Sequence, residues 1–297
     1  VVSGNPSSPG ACDPAARAIV FAHFDPERRI DPHVIHALRE YRRHCARLVL
    51  VSNGGPSRLP REAAAVVDTY LPRPNSGYDF GAWRNGLASL DRGAYDEVLC
   101  VNDSVYGPLA DLGPSLASPR IAGADLWGMV VSEQAARRGT PGHRHVQTWF
   151  FGGRRRLLES DAWDRFWGAV EPQASKQEVI ERYEVGLSRT VAEAGMVVAG
   201  IYDAGHAPRV AFAELMPEIS LLEPARSWRV VRKGRRVPHN PSELVWWRLL
   251  HAGVPFVKVG LLRTNHYGVD LRRVLAEIDR APGFEPGLVR RHLDRCG

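Results

Sequence analysis

The chain has 297 residues, 44% apolar and 24% charged, which is enough apolar mass for one large α/β domain or two small ones and excludes a wholly disordered polypeptide. A formal charge of +6 and a pI near 9.4 favour anionic partners such as nucleotide diphosphates or phospholipid head groups. No nucleic-acid-reading motif accompanies the charge, no apolar run approaches the ~18 residues of a membrane helix, and none of the cysteines (Cys12, Cys45, Cys100, Cys296) sits in a CxxC pair that would signal zinc or thioredoxin-type chemistry.

Residues 1–16, rich in Ser, Gly and Pro, read as a loose leader, and the start at Val1 is that of a trimmed chain. Ala18–Ala22 (AIVFA) is a buried strand. Asp31–Arg43 carries Val34, Ile35, Leu38 and Tyr41 near helical spacing, and Arg47–Val51 (RLVLV) is a second strand. This βαβ opening implies parallel strands joined by a right-handed crossover. Glu62–Tyr70 reads as helical, Pro72–Gly81 as turn-rich, Ala82–Leu90 as a helix and Glu97–Val101 as a strand. Strands follow at Asp125–Val131, Thr148–Phe151 and Met196–Tyr202, with helices over Asp161–Val170, Lys176–Ala194 and Ser242–Ala252 and a short strand at Val257–Gly260. Pro217–Val237 is basic and weakly periodic. The alternation predicts an α/β fold with an open, mostly parallel sheet flanked by helices, spanning 17–270, followed by a helical extension over 271–297. Ligands of such sheets bind at the carboxyl ends of the strands, which directs attention to His23–Asp25, Ser52–Gly55 and Asn102–Ser104.

Two constellations stand out. In Arg73–Asp103, a loop bearing Asn75 and Asp79 enters a helix, and a strand later emerges into Asn102-Asp103-Ser104. A carboxylate at a strand end can hold a divalent cation that bridges a diphosphate, so Asp103 suits that role and Asp79 a ribose or sugar hydroxyl. The plainer reading of Asn102-Asp103-Ser104 is a turn held by local side-chain hydrogen bonds. Second, Glu184 in YEVGLS stands where an acid across the cleft could take a proton from an attacking hydroxyl. His145, Gln147 and Trp149 alternate in HVQTWFF and on a strand would face one side, a mixture of polar and aromatic groups suited to a sugar. Trp163, Phe166, Trp167, Trp246 and Trp247 read as core.

The blocks NSGYDFGAWRNGL (75–87), EVLCVNDSVYGPL (97–109), DLWGMVVS (125–132), HVQTWFFGG (145–153), VIERYEVGLSRTVAEAG (179–195) and NPSELVWWRLLHAGVPFVKVGLLRTN (240–265) give the chain its clearest likeness. Together they resemble the rhamnan synthesis protein F family of glycosyltransferases and, more loosely, the GT-A superfamily. The resemblance implies a GT-A-like sheet, with Asn102 and Asp103 at the donor diphosphate, Glu184 as catalytic base and Asp103 with His206 on a Mn²⁺ or Mg²⁺ ion. The residues themselves add His23, Asn75, Tyr78, Asp79 and Arg84 as candidates around the donor and His145, Gln147 and Trp149 at the acceptor. The acidic motif carries one carboxylate rather than the usual two, so basic groups such as Arg84 could neutralise the leaving group instead.

The expected activity is inverting transfer of a sugar from a nucleotide diphosphate donor to a growing bacterial surface polysaccharide. The family name implies L-rhamnose or another deoxyhexose, carried on thymidine diphosphate. The acceptor is expected to be a polysaccharide or lipid-linked glycan at the inner face of the cytoplasmic membrane, with the protein cytoplasmic and peripherally associated, helped by the basic segment Gly287–Cys296. The competing class is a non-catalytic glycan- or nucleotide-binding module derived from a transferase.

Overall fold

A computed structural model describes residues 12–133, 143–207, 209–219, 223–234 and 239–296. The first strand, β1 (Arg17–Phe24), is buried from Arg17 to His23, as its β-branched and aromatic run dictates. It pairs in parallel with β2 (Arg47–Asn53) on one side and β4 (Glu97–Asn102) on the other, Val20 lying opposite both Val49 and Cys100. β3 (Thr69–Arg73) extends the parallel edge beyond β2. On the far side of β4 runs β8 (Phe150–Arg154), antiparallel to it and to β6 (Leu126–Ser132). β7 (His145–Val146) also pairs with β6 and is separated from β8 by a turn at 147–149, while β9 (Val198–Asp203) runs parallel to β6. The expected α/β architecture, an open and mostly parallel sheet flanked by helices, is what the chain forms.

Alternate residues of the strands feed two cores. Ile19, Phe21, Leu48, Leu50, Leu99 and Val101 point to one face, where Val34, Leu38 and Tyr41 of helix Pro32–Arg42 cover them. Ala18, Val20, Val49, Val51, Val98 and Cys100 point to the other, against Phe80, Trp83 and Leu87 of helix Tyr78–Ala88 and the aromatic cluster Trp163, Phe166 and Trp167. Burial on both faces explains why these strands read as continuous apolar runs. Helix Tyr78–Ala88 sits so close that a Cβ on Gly86 would meet Val20 Cγ1 at 2.3 Å, so only glycine fits there. Helices Leu271–Arg280 and Gly287–Cys296 bury Val274, Ile278, Leu288 and Val289 in the first of these cores.

Several segments differ from the sequence expectation. Glu62–Tyr70 forms a single helical turn, Arg61–Ala64, before the chain enters β3, because pairing of Thr69 with Val49 overrides the local helical pattern. The strand expected at Thr148–Phe151 begins only at Phe150. Lys176–Ala194 is helical as expected, but Ile180–Glu184 is a π-helical turn within it. The weakly periodic 217–237 contains helix Pro224–Gly234, and Ser242–Ala252 is broken at Val245. Val257–Lys258 (β10) pairs antiparallel with β5 (Val105–Tyr106) as a small second sheet. The leader expected at 1–16 lies outside the described residues up to position 11 and continues as a short 3₁₀ turn at Pro14–Ala16. Among the described residues no helix is long and apolar enough to cross a membrane.

Candidate active site

A cleft of about 1200 Å³ opens at the carboxyl ends of β1 and β4, where parallel sheets leave strand termini facing a crevice. Of the residues expected at the site, His23, Tyr78, Asp79, Asn102, Asp103, His145, Gln147, Trp149 and Glu184 all line it. Asp103 and Glu184, 81 positions apart in sequence, are therefore brought to one cavity.

Asn102-Asp103-Ser104 is a local turn, as the plainer reading has it, and it also faces the cleft. Asn102 Oδ1 accepts from the Ser104 N–H at 3.1 Å and from Ser104 Oγ at 2.6 Å. Its Nδ2 donates to Asp79 Oδ2 at 2.8 Å, and Ser104 Oγ in turn accepts from Lys258 Nζ at 3.0 Å. A chain of hydrogen bonds thus links an acid, an amide, a hydroxyl and an ammonium across three separate elements. The Asp103 carboxylate accepts from the Phe24 N–H at 2.7 Å. Burial, with Asp79 as a like charge, pushes the Asp103 pKa up to about 8. Burial also raises the Asp79 carboxyl, against the lowering effect of Asn102. Lys258 is driven the opposite way, to about 8, by burial, although the Glu184 carboxylate works to raise it. Its ammonium lies 5.5 Å from the Trp149 ring centroid. His23, down to about 4 through burial, is neutral at pH 7, with Nδ1 on Ser52 Oγ at 2.7 Å and Nε2 4.0 Å from Asp103.

Glu184 closes the π-helical turn, a local widening that recurs at functional sites. Its Oε2 accepts from both the Thr148 N–H (3.2 Å) and Thr148 Oγ (2.6 Å), and His145 Nε2 stands 3.5 Å from Oε1. Burial works to raise the carboxyl, but the hydrogen bonds from His145 and Thr148 outweigh it and hold Glu184 below its ordinary value. His145 is correspondingly raised: burial opposes the charge, but the Glu184 carboxylate and the His143 carbonyl, which accepts from Nδ1 at 2.6 Å, prevail. Each group of the pair thus favours the other's charged form.

At the mouth, Phe24 and Tyr78 expose aromatic surface, 44% and 41% accessible. Tyr78 adopts φ +52 immediately after Gly77 at +75, a strained pair for a non-glycine residue that re-aims the chain as the helix begins.

Three expected residues lie outside the cleft lining. Arg84 donates Nη1 to the Val170 carbonyl at 2.7 Å and serves to pack two elements together. Asn75 is exposed in the loop before the helix. His206 is 80% exposed and bonded to Asp203 at 2.9 Å, in the loop after β9, so it does not join Asp103. Gln147 reaches the lining, but its polar atoms are committed: Nε2 donates to Asn240 Oδ1, and Oε1 accepts from Trp149 Nε1 and Ser242 Oγ. The basic segment Gly287–Cys296 is docked rather than free, with Arg295 on Asp25 and Asp31 and Arg290 on Asp279.

Sequence reasoning missed Thr148, Lys176 and Lys258. The signal for the lysines was present: the chain holds only three lysines against thirty-six arginines, and two of the three, Lys176 and Lys258, line this cleft. Lysine is the cation whose pKa burial can move, so a chain that elsewhere uses arginine marks such positions.

As to a divalent cation, Asp79 and Asp103 are partly buried carboxylates lining one cleft, Asp103 raised further by the Asp79 charge, a donor set that a cation would relieve. The residues fit such an ion without His206.

The rhamnan synthesis protein F family model matches residues 48–219. A protein of Vibrio anguillarum described as virulence protein VirA is 26% identical over 230 residues, 74% of this chain and 71% of that one. An uncharacterized protein, y4gN, of Sinorhizobium fredii is 22% identical over 134 residues, 44% of this chain and 34% of its own length, so this chain spans about a third of that relative. Among solved structures, glucosyl-3-phosphoglycerate synthase from Mycobacterium tuberculosis, in complex with Mn²⁺, uridine-diphosphate-glucose and phosphoglyceric acid, aligns over 81% of each chain at 14% identity and a TM-score of 0.34.

Proposed function

Because the chain belongs to the rhamnan synthesis protein F family, we propose that the cleft is the active site of a GT-A-type glycosyltransferase that moves a sugar from a nucleotide diphosphate donor to a growing bacterial surface polysaccharide. The observation that carries the reading is the meeting of Asp79, Asp103, Lys258 and Glu184 in one cavity, with Asp79 and Asp103 raised and Glu184 and Lys258 lowered. L-rhamnose or another deoxyhexose is the sugar the family name suggests.

In this reading Phe24 and Tyr78 offer faces on which a base can stack at the mouth. Lys258, held by Ser104, meets the diphosphate. A cation bound by Asp103 and Asp79 would supply further neutralisation of the leaving group. Glu184, ionised at neutral pH, accepts the proton of the acceptor hydroxyl. The acceptor oxygen forms its bond to the anomeric carbon as the bond from that carbon to the diphosphate oxygen breaks, and the electron pair leaves with the diphosphate. Single displacement inverts the anomeric centre. General-base catalysis of this kind contributes about 10²–10⁴-fold. Lys258, neutralising charge that develops only in the transition state, acts in the same direction.

One feature favours the rival class, a binding module without turnover: Glu184 already spends Oε2 on Thr148 and has a lowered pKa, which weakens it as a base. Incubating the protein with a panel of nucleotide diphosphate sugars, with and without Mn²⁺, separates the two. The transferase reading expects release of nucleoside diphosphate from at least one deoxyhexose donor. Tight nucleotide binding with no turnover of any donor would replace it with the binding module.

A further inference from the structure

A second cluster of metal-ligating side chains, unrelated to Asp103, lies in the same cleft lining. One ligand atom each from Asp31, His33 and His292 falls within 4.8 Å of the other two. Asp31 and His33 flank the start of helix Pro32–Arg42, while His292 sits on helix Gly287–Cys296. His292 Nε2 is 3.7 Å from Asp31 Oδ2, close to the roughly 3.4 Å that separates ligand atoms around a tetrahedral ion.

We propose that Asp31, His33 and His292 form a transition-metal site of the zinc class, pinning the helix Gly287–Cys296 to the segment that follows β1. His33 supplies the strongest independent sign. Its side chain is only 5% exposed, yet Nδ1 has no hydrogen-bond partner, an arrangement that costs free energy unless something binds the nitrogen. The His33 and His292 rings stand 4.3 Å apart. His292 also has the outer hydrogen bond that metal-bound imidazoles need: Nδ1 pairs with Tyr106 Oη at 2.7 Å, which leaves Nε2 to the ion.

Local charge favours a cation. Asp25, Asp31 and Glu27 surround the single guanidinium of Arg295, and Arg263 is the other cation acting on His292. Arg295 already touches Asp25 as well as Asp31, so a metal on Asp31 leaves it a partner. Absence of a CxxC pair says nothing against such a site, because its ligands come from opposite ends of the chain.

The inference stands apart from the transferase reading, since its readout is metal binding and not turnover. The full chain, stripped with a chelator, would be titrated with Co²⁺ and followed by absorption. One equivalent should bind with the visible bands of protein-bound Co²⁺, and Zn²⁺ should displace it. His33→Ala and His292→Ala should each weaken binding by about 10–100-fold. Circular dichroism of both variants controls for folding. Failure of the wild-type chain to bind Co²⁺, or affinity unchanged in His33→Ala, overturns the assignment.

Discussion

The two edges of the sheet treat buried charge in opposite ways. At the edge where β1 and β4 begin, Arg17 and Glu97 are 2% and 1% exposed and meet at 2.6 Å. Trp127 Nε1 and Arg154 Nε donate to the other Glu97 oxygen at 2.7 and 3.3 Å, and Arg156 pairs with Asp125 nearby. At the edge where the same strands end, burial raises Asp79 and, with the Asp79 charge, Asp103; Lys258 is driven down, and burial lowers His23 and His33. Arg17 and Glu97 at the closed edge are wholly buried and their charges are matched, whereas Asp79, Asp103 and Lys258 at the open edge are partly buried beside a cleft. Charges closed on one another hold a fold together, whereas charges desolvated without full compensation are those that a ligand can still stabilise.

Breaking the closed edge should have the largest effect on stability. Glu97→Ala strands the Arg17 guanidinium in the core and should cost about 3–5 kcal/mol in urea unfolding. A loss under about 1 kcal/mol would mean the two edges are not different in kind. At the open edge the effect should fall on chemistry. Lys258→Met should lower donor turnover by about 10²–10³-fold, as removal of one charge-stabilising group does elsewhere, while leaving the unfolding midpoint nearly unchanged. The smallest and most specific effect concerns pH. The fold favours the protonated Asp103, so its contribution to stability is complete below the unfolded carboxyl pKa of about 3.9 and is lost as pH rises through about 8. Asp103→Asn should remove that decline, so the variant gains on the wild type between pH 5 and pH 9. Parallel profiles for the two proteins would show that Asp103 is not held protonated.

Much of this contrast was legible in the sequence. Apolar runs of β-branched residues mark β1, β2 and β4, and strand ends in a parallel sheet face a crevice, so Asp103 could be placed without coordinates. Glu184 followed from the family likeness of the block around it, although the π-helical turn that aims it has no signature in composition. What could not be read depends on distant pairing. β3 replaces an expected helix because Thr69 finds Val49, and Trp149 faces the cleft from a turn instead of a strand. His206 follows a strand as a metal ligand might, yet that strand lies at the far margin of the sheet, beyond β6. The cluster of Asp31, His33 and His292 joins residues over 250 positions apart, and no local pattern announces it.

The most direct measurement is the steady-state kinetics of Glu184→Gln on a donor that the wild type turns over. The substitution keeps the shape that Thr148 grips and removes the proton acceptor. Transfer from Glu184 predicts a fall in kcat of about 10²–10⁴-fold with donor KM essentially unchanged. A kcat within about twofold of wild type would contradict it and leave Glu184 as a brace for the 147–149 turn.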